Sequence, residues 1–136
     1  MDISVDYLGG VRFEVAARGH RIISDQPLEN GGADTGMTPP ELLLASLGSC
    51  AGYYAAEYLK VRSLPLDGLR VYVHAEKALK PARLSMFRVR VEAPSVDEAH
   101  RDALLRTVKH CLIHNTLLQP SNVEVTVETG SQANAA

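Results

Sequence analysis

Two cysteines, Cys50 and Cys111, are the residues of this 136-residue chain with the most informative chemistry. A thiolate attacks peroxides and disulfides, whereas a protonated thiol does not. If the two side chains met, one thiolate could attack a peroxide and become a sulfenic acid, and the other could condense with it to a disulfide. Cysteine is also among the most frequently buried residue types, so two plain packing residues are the alternative interpretation.

A second kind of chemistry is suggested by the pattern His-Cys-x-x-His, formed by His110, Cys111 and His114. Imidazole and thiolate are the ligands that zinc prefers. Three ligands in one short segment, without a second cluster elsewhere, are weak evidence for such a site. The alternative is that the histidines are cations near the last carbonyls of a helix. A metal-binding module is therefore the third of three functional hypotheses.

Cys50 lies in the middle of a predicted helix that spans residues 38–62. Thr38 fits the N-cap, Pro39 the first helical position, and Glu41 completes a capping box. No residue from 42 to 56 is charged, so this helix must be covered on nearly every side. The uncharged stretch is shorter than the roughly 20 residues that cross a bilayer, so we expect a buried central helix and no membrane partner.

The domain boundaries and the expected oligomeric state follow from how this apolar helix is covered. We expect one domain over residues 1–130 and a frayed tail over residues 131–136. About 110 other residues, many of them in strands, are too few to enclose such an apolar helix. We therefore predict a homodimer with the helix at or near the interface.

The remaining chain predicts an α+β fold. Alternating apolar residues and tight turns indicate an N-terminal antiparallel meander with strands near residues 3–7, 11–15 and 22–23. A glycine-rich loop over residues 25–37 leads to the helix, and loops of this length are often functional. A β-β-α-β portion follows, with strands at 69–75 and 87–91, an amphipathic helix from a capping box at 95–98 to residue 112, a turn at 115–121 and a last strand at 123–127. This second helix would carry Cys111 on its buried side.

Charge and composition exclude several function classes. The formal net charge is −2 and the basic residues are scattered, so no nucleic-acid surface is predicted. The N-terminus has neither a basic region nor an apolar run, so we expect a cytoplasmic protein.

Three segments resemble the OsmC/Ohr family. The run from Gly36 to Cys50, which reads Gly-Met-Thr-Pro-Pro-Glu-Leu-Leu-Leu-Ala-Ser-Leu-Gly-Ser-Cys, strongly resembles the first-cysteine helix of that family. The Asp-Gln-Pro that begins at Asp25, before a glycine-rich loop, is similar too. The segment His-Cys-Leu-Ile-His-Asn-Thr-Leu from His110, followed by alternating valines, resembles the second-cysteine segment. The resemblance covers residues 3–127.

The resemblance implies an OsmC-like fold in which two chains interlock around paired central helices. It implies a thiol peroxidase that reduces organic hydroperoxides, with hydrogen peroxide as a second candidate substrate, at two sites on the dimer interface. By that match Cys50 is the peroxidatic cysteine and Cys111 the resolving cysteine. The reductant would be a dithiol, of the lipoyl type in the Ohr branch, and no bound metal or organic cofactor is expected.

The match is incomplete at the residues that activate the first thiol. The hydroperoxide-resistance branch has a glutamate ten residues before the first cysteine, and here that position is Pro40. Glu41, nine residues before Cys50, points to the other side of the helix and fits a capping role. A mid-helix cysteine also lies too far from the helix N-terminus to gain from its dipole, so a cation is expected from elsewhere. Arg12 is the first candidate, and Arg18 and Arg21 are further choices.

The leading hypothesis is a two-cysteine peroxidase in which Leu43, Leu47 and Tyr54 line an apolar substrate pocket. The alternative is a non-catalytic dimeric protein on the same scaffold that binds a small apolar molecule or senses redox state. Pro40, in place of glutamate, favours that alternative.

Overall fold

A computed structural model of the chain describes residues 1–130, so the predicted tail at 131–136 lies outside the described residues. Within the described part, two antiparallel sheets and three helices confirm the predicted α+β class. The strands are β1 (Ser4–Gly9), β2 (Arg12–Ala17), β3 (His20–Ser24), β4 (Arg70–Ala78) and β5 (Arg83–Glu92). The helices are α1 (Pro39–Val61), α2 (Arg101–Val108) and α3 (Leu112–Leu118).

The first sheet is the predicted meander, with strand order β1-β2-β3. Gly9 and Gly10 form the first turn at φ values of 103° and 59°, which favour glycine because a Cβ strains that backbone. Val5 pairs with Val15 in the antiparallel register. Ile3, Val5 and Tyr7 point to one face and remain 64%, 56% and 65% exposed. This sheet therefore leaves its apolar face uncovered within the single chain.

The loop over residues 25–37 is held by a buried carboxylate. Asp25 is fully buried and accepts hydrogen bonds from the backbone N–H groups of Gln26, Ala33 and Thr35 and from the Thr35 hydroxyl, at 2.7, 3.3, 3.0 and 2.6 Å. The hydroxyl of Thr35 and these N–H groups favour the charged form and lower the pKa of Asp25 to about 2. The loop thus has a fixed shape where it delivers the chain to α1.

Helix α1 begins as predicted. The Thr38 hydroxyl accepts from the Glu41 N–H, and the Glu41 carboxylate accepts from the Thr38 N–H at 2.7 Å, so both halves of the capping box are present. The buried residues recur on one side of the helix, at Leu47, Ala51, Ala55, Tyr58 and Leu59. Other residues of α1 are open to solvent, so the described chain covers one face of the helix and leaves the opposite face exposed.

The covered face of α1 packs on the hairpin β4-β5 and on α2. A Cβ added at Gly48 would lie 2.9 Å from Val73 Cγ2, so the small residue lets α1 approach β4 closely. Ala55, Tyr58, Leu59 and Leu104 form the buried core, and side chains from β5 and α2 pack around it. The Tyr58 hydroxyl is 3.0 Å from His100 Nδ1, which ties α1 to the turn before α2.

The second helical region differs from the prediction. The prediction of a single helix reaching residue 112 is wrong, because α2 ends at Val108 and a new helix, α3, begins at Leu112. Helix α3 also includes residues 115–118, which were predicted to form a turn. The His110 N–H donates to Thr107 O and the Cys111 N–H donates to Val108 O, and these tighter bonds close α2. The predicted capping box at 95–98 is also replaced, because Asp97 caps the 3₁₀ turn Glu98–His100 by accepting from Ala99 N–H.

The predicted last strand at residues 123–127 does not form in the described chain. Val123, Val125 and Val127 are 82%, 82% and 76% exposed and belong to neither sheet. An alternating segment becomes a strand only when a free sheet edge lies beside it. Among the described residues, no helix is long and apolar enough to cross a bilayer.

Candidate functional site

The fold brings the two cysteines together. Cys50 lies on α1, Cys111 lies directly before α3, and these helices pack against each other. The two side chains are within hydrogen-bonding reach, and both are free thiols. Cys111 is fully buried, whereas Cys50 is half-buried. A pair 61 residues apart in the sequence thus forms one dithiol site.

Cys111 is the N-cap residue of α3. Its backbone is not helical, at φ −53° and ψ 129°, and its Sγ accepts from the His114 N–H at 3.5 Å. The first N–H groups of a helix have no partner inside the helix. Here the N–H groups of Leu112 and Ile113 lie close enough to the Cys50 sulfur to favour its charged form and lower its pKa.

These contacts set the protonation of Cys50. Burial raises the pKa of the Cys50 thiol, but hydrogen bonds from the Cys111 thiol and from the N–H groups of Ile113 and Leu112 outweigh burial, and the pKa falls below its ordinary value. Each of these donors favours a negatively charged sulfur. Cys50 is therefore the thiol of the pair that ionises first.

The second thiol is shifted in the opposite direction. Burial raises the pKa of Cys111, the hydrogen bond with Cys50 raises it further, and the negative charge on Cys50 adds to the effect. The N–H groups of His114 and Ile113 act against this rise without cancelling it. One sulfur is thus prepared as a thiolate while its neighbour keeps its proton.

The source of the Cys50 shift differs from the expectation of a cation. Among the described residues, hydrogen-bond donors lower the pKa and no charged side chain contributes. Sequence reasoning missed Leu112 and Ile113 because any residue type supplies a backbone N–H. No glycine or proline between Val108 and Leu112 marks the helix break that aims these groups at Cys50.

The predicted activating arginines lie in the meander and its turns. Arg12 begins β2, and its Nε is buried without a hydrogen-bond partner in the described part of the chain. Arg18 lies exposed in the β2-β3 turn, and Arg21 pairs with Glu14 across β2 and β3. None of the three contributes to the Cys50 pKa within the chain. Glu41 has the predicted capping role.

A cavity of about 490 Å³ reaches the site from the side of Cys111. Cys111 and His114 line it, and Cys50 does not. Its walls are largely aliphatic, with contributions from Leu47, Ala51, Val89, Leu104, Leu105 and Val108. Four exposed charged residues also line it, namely Asp97, Glu98, Arg101 and Lys109.

The residues predicted to line a substrate pocket divide between two places. Leu47 lines the cavity, whereas Leu43 and Tyr54 do not. Leu43 is seven residues before Cys50 and Tyr54 four after it, so both share the Cys50 side of α1. Leu43 is 38% exposed and Tyr54 is half-buried against the ring of Tyr53, with centroids 5.4 Å apart. These two residues share the Cys50 side of α1 but do not reach the cavity.

His114 is the remaining residue of interest at the site. Its Nδ1 is buried and has no hydrogen-bond partner among residues 1–130. In the same residues, no group of three or more side chains from His, Cys, Asp and Glu is arranged to hold a metal ion. The described residues thus offer no ligand set for the zinc hypothesis.

Comparison with known proteins identifies a family whose model matches most of this chain. The family model described as OsmC-like protein matches residues 31–127. A search of curated proteins found no match.

Several crystal structures share the fold. A Psychrobacter arcticus protein assigned to the osmotic stress and detoxification response matches with a TM-score of 0.75 and 22% identity, over 84% of this chain and 85% of that one. An OsmC-like protein from Mycoplasma pneumoniae has a TM-score of 0.71 and 18% identity, over 86% of each chain. An organic hydroperoxide resistance protein from Legionella pneumophila has a TM-score of 0.58 and 15% identity, over 86% and 89%. Because the family model spans both cysteines and most of the chain, this protein belongs to the OsmC-like family.

Proposed function

We propose that the chain is a thiol peroxidase that reduces organic hydroperoxides, with Cys50 as the peroxidatic and Cys111 as the resolving cysteine. One observation carries the proposal: the two thiols are neighbours whose pKa values are shifted in opposite directions. A peroxidatic sulfur has to be ionised to attack, and a resolving sulfur has to wait close by. Two unrelated packing cysteines would need neither property.

The reaction follows from these positions. The Cys50 thiolate attacks the distal peroxide oxygen, the O–O bond breaks, and the alkoxide leaves and takes a proton to become an alcohol. Cys50 is then a sulfenic acid. Cys111 loses its proton and attacks the Cys50 sulfur, which releases water and leaves a Cys50–Cys111 disulfide. A dithiol reductant, lipoyl-type or another thiol, returns both sulfurs to the reduced state by exchange.

The substrate would approach Cys50 past Leu43 and Tyr54, which share its side of α1. These two side chains would favour an apolar peroxide over hydrogen peroxide. Two proteins that share the fold favour this class of chemistry. One is the Legionella pneumophila organic hydroperoxide resistance protein, and the other is an OsmC-like hydroperoxide resistance protein from Jannaschia.

A homodimer is part of the proposal. The apolar face of the meander and the open face of α1 are both exposed in the single chain, as are the alternating valines at residues 123–127. A second copy would cover these surfaces, so the substrate would reach Cys50 between the two copies, and Arg12, with its unpartnered Nε, could approach the partner's site. Two free thiols suit a reducing compartment such as the cytoplasm.

The test is the formation of the disulfide. One equivalent of cumene hydroperoxide is added to the reduced protein, and thiols, disulfide and remaining peroxide are measured by mass spectrometry. We expect loss of one peroxide per disulfide in the wild type. We expect no peroxide consumption for Cys50→Ser, and a sulfenic acid without intramolecular disulfide for Cys111→Ser. Two free thiols with unconsumed peroxide in the wild type would refute the proposal.

The second candidate function is binding of a small apolar molecule without catalysis. The aliphatic cavity beside Cys111 favours it, because that space does not include Cys50. If the wild type consumes no peroxide and Cys50→Ser binds an apolar fluorophore as tightly as the wild type does, this second function replaces the first.

A further inference from the structure

The dithiol site has two sides, and they differ in what reaches them. Cys50 is half-buried on α1. Cys111 is fully buried from bulk solvent, yet it lines the aliphatic cavity of about 490 Å³. Of the two cysteines, Cys111 lines the cavity and Cys50 does not, so a molecule in the cavity lies against Cys111.

We propose that this cavity is the entry site of the reductant, an aliphatic dithiol that attacks the Cys111 sulfur of the oxidised protein. The inference rests on the proposed function, because it concerns the second half of that cycle. Peroxide would arrive at Cys50 from one side, and the reductant at Cys111 from the other.

The chemistry of exchange favours this direction of attack. A thiolate attacks a disulfide sulfur and expels the other sulfur, and the sulfur with the lower thiol pKa leaves faster. Cys50 is the sulfur whose negative charge is stabilised by the N–H groups of Leu112 and Ile113. Attack at Cys111 therefore expels the better leaving group, whereas attack at Cys50 would expel the worse one.

The step balances in atoms and electrons. The first thiolate of the dithiol bonds to Cys111 Sγ, the Cys50–Cys111 bond breaks, and its electron pair stays on Cys50. The second thiolate of the dithiol then attacks the first sulfur and expels Cys111, which takes a proton. The dithiol becomes a cyclic disulfide, and both cysteines are reduced by its two electrons.

Two side chains of the cavity suit such a reductant. His114 lines it, and its Nδ1 is buried without a hydrogen-bond partner in the described chain, so this nitrogen could form a hydrogen bond with an incoming thiol group. Lys109 forms no ion pair among the described residues, whereas Arg101 pairs with Glu98 and Asp102. An aliphatic thiol with a carboxylate end would match both the apolar walls and this free cation.

The first experiment locates the attack. The disulfide is made with diamide, so that no peroxide chemistry is needed, and 6-mercaptohexanoate is then added. Samples taken at increasing times are quenched at low pH and then labelled with excess N-ethylmaleimide. Peptide mapping then shows which cysteine carries the mixed disulfide and which carries the maleimide. We expect the adduct on Cys111 and the maleimide on Cys50. An adduct on Cys50, or failure of diamide to form the disulfide, would overturn the proposal.

The second experiment tests the cavity itself. We expect 6-mercaptohexanoate to open the wild-type disulfide at least about tenfold faster than 3-mercaptopropionate, since three more methylene groups are buried. Leu105→Trp, which fills the cavity from α2, should remove most of this preference. Leu118→Trp is the matched control, because Leu118 is exposed and does not line the cavity, and it should keep the preference. Equal rates for both thiols in the wild type would overturn the proposal that the cavity binds the reductant.

The outcome separates the two proposals. If peroxide forms no disulfide but the diamide-made disulfide opens through Cys111 with the chain-length preference, the peroxidase proposal fails and the cavity proposal stands. If peroxide forms the disulfide but the adduct is found on Cys50, the peroxidase proposal stands and the cavity proposal fails.

Discussion

The two sheets of the molecule use the same sequence pattern and end in opposite environments. In the hairpin β4-β5, one set of alternating valines packs under α1, and Val73 lies against Gly48. In the meander β1-β2-β3, the alternating residues Val5 and Tyr7 remain more than half exposed. Alternation predicts that one face will be buried, but it does not say what buries it. The hairpin is covered within the chain, and the meander requires cover from outside it.

The largest effect on stability is expected in the buried core between α1, β5 and α2. Leu59→Ala removes a fully buried side chain and should lower the free energy of unfolding by about 2–5 kcal/mol. Leu79→Ala is the matched control in the hairpin turn, where the side chain is 79% exposed, and should change it by less than about 0.5 kcal/mol. Urea unfolding measures both. Similar losses would contradict the assignment of the core.

The next prediction tests the cover of the meander. Val5→Asp places a charge on the exposed apolar face and, if a second copy buries that face, should weaken the dimer at least about tenfold, or 1.4 kcal/mol. Asp6→Asn is the control, because neighbouring strand residues point to opposite faces. Sedimentation at several concentrations measures the association. A monomeric wild type, or an unchanged dimer, would show that the meander is not the interface.

A smaller effect is expected at the contact between α1 and the hairpin. Gly48→Ala brings a Cβ to 2.9 Å from Val73 Cγ2, whereas at Gly52 the corresponding distance to Val71 Cγ2 is 3.6 Å, an ordinary contact. Alanine favours the helix by up to about 1 kcal/mol at either position, but overpacking works against it at Gly48. Gly52→Ala should therefore be the more stable variant by about 1–2 kcal/mol in urea unfolding. The reverse order would mean that α1 does not approach β4 through Gly48.

The smallest effect concerns the loop over residues 25–37, which connects the meander to α1. The Thr35 hydroxyl and nearby N–H groups lower the pKa of Asp25 from 3.8 to about 2, so the charged form is favoured in the folded state. The stability that this provides is fully present above pH 3.8 and is lost as the pH falls through about 2. Asp25→Asn should lower the urea midpoint at neutral pH, and its difference from the wild type should shrink in this acid range. Asp34→Asn, at an exposed residue of the same loop, should follow the wild type throughout.

Much of the fold could be predicted because the signals are local. The capping box at Thr38 and Glu41 marked the start of α1, and alternation with glycine turns marked the meander. The split between α2 and α3 could not be predicted, because the apolar period continues past Val108 without glycine or proline. The strand at residues 123–127 was mispredicted for a related reason. Its valines alternate, but pairing depends on a free edge, and alternation carries no information about edges.

The candidate site shows the same division. The types and positions of Cys50 and Cys111 suggested a dithiol from the sequence alone, and the family resemblance named their roles. The sequence did not indicate how Cys50 would be ionised, because the N–H groups of Leu112 and Ile113 belong to the backbone and depend on no particular residue type. Those groups act on Cys50 only because the chain breaks at Cys111 and begins a helix there.

The sequence by itself determined the family, the central helix and the two sulfurs, since each depends on residue type and short-range spacing. The tertiary structure decided that the sulfurs are neighbours and which of them ionises first. It also decided that, of the two cysteines, Cys111 lines a cavity and Cys50 does not. These properties arise from the directions of backbone N–H groups and from packing between helices distant in the chain. Both depend on the fold as a whole and on no single stretch of residues.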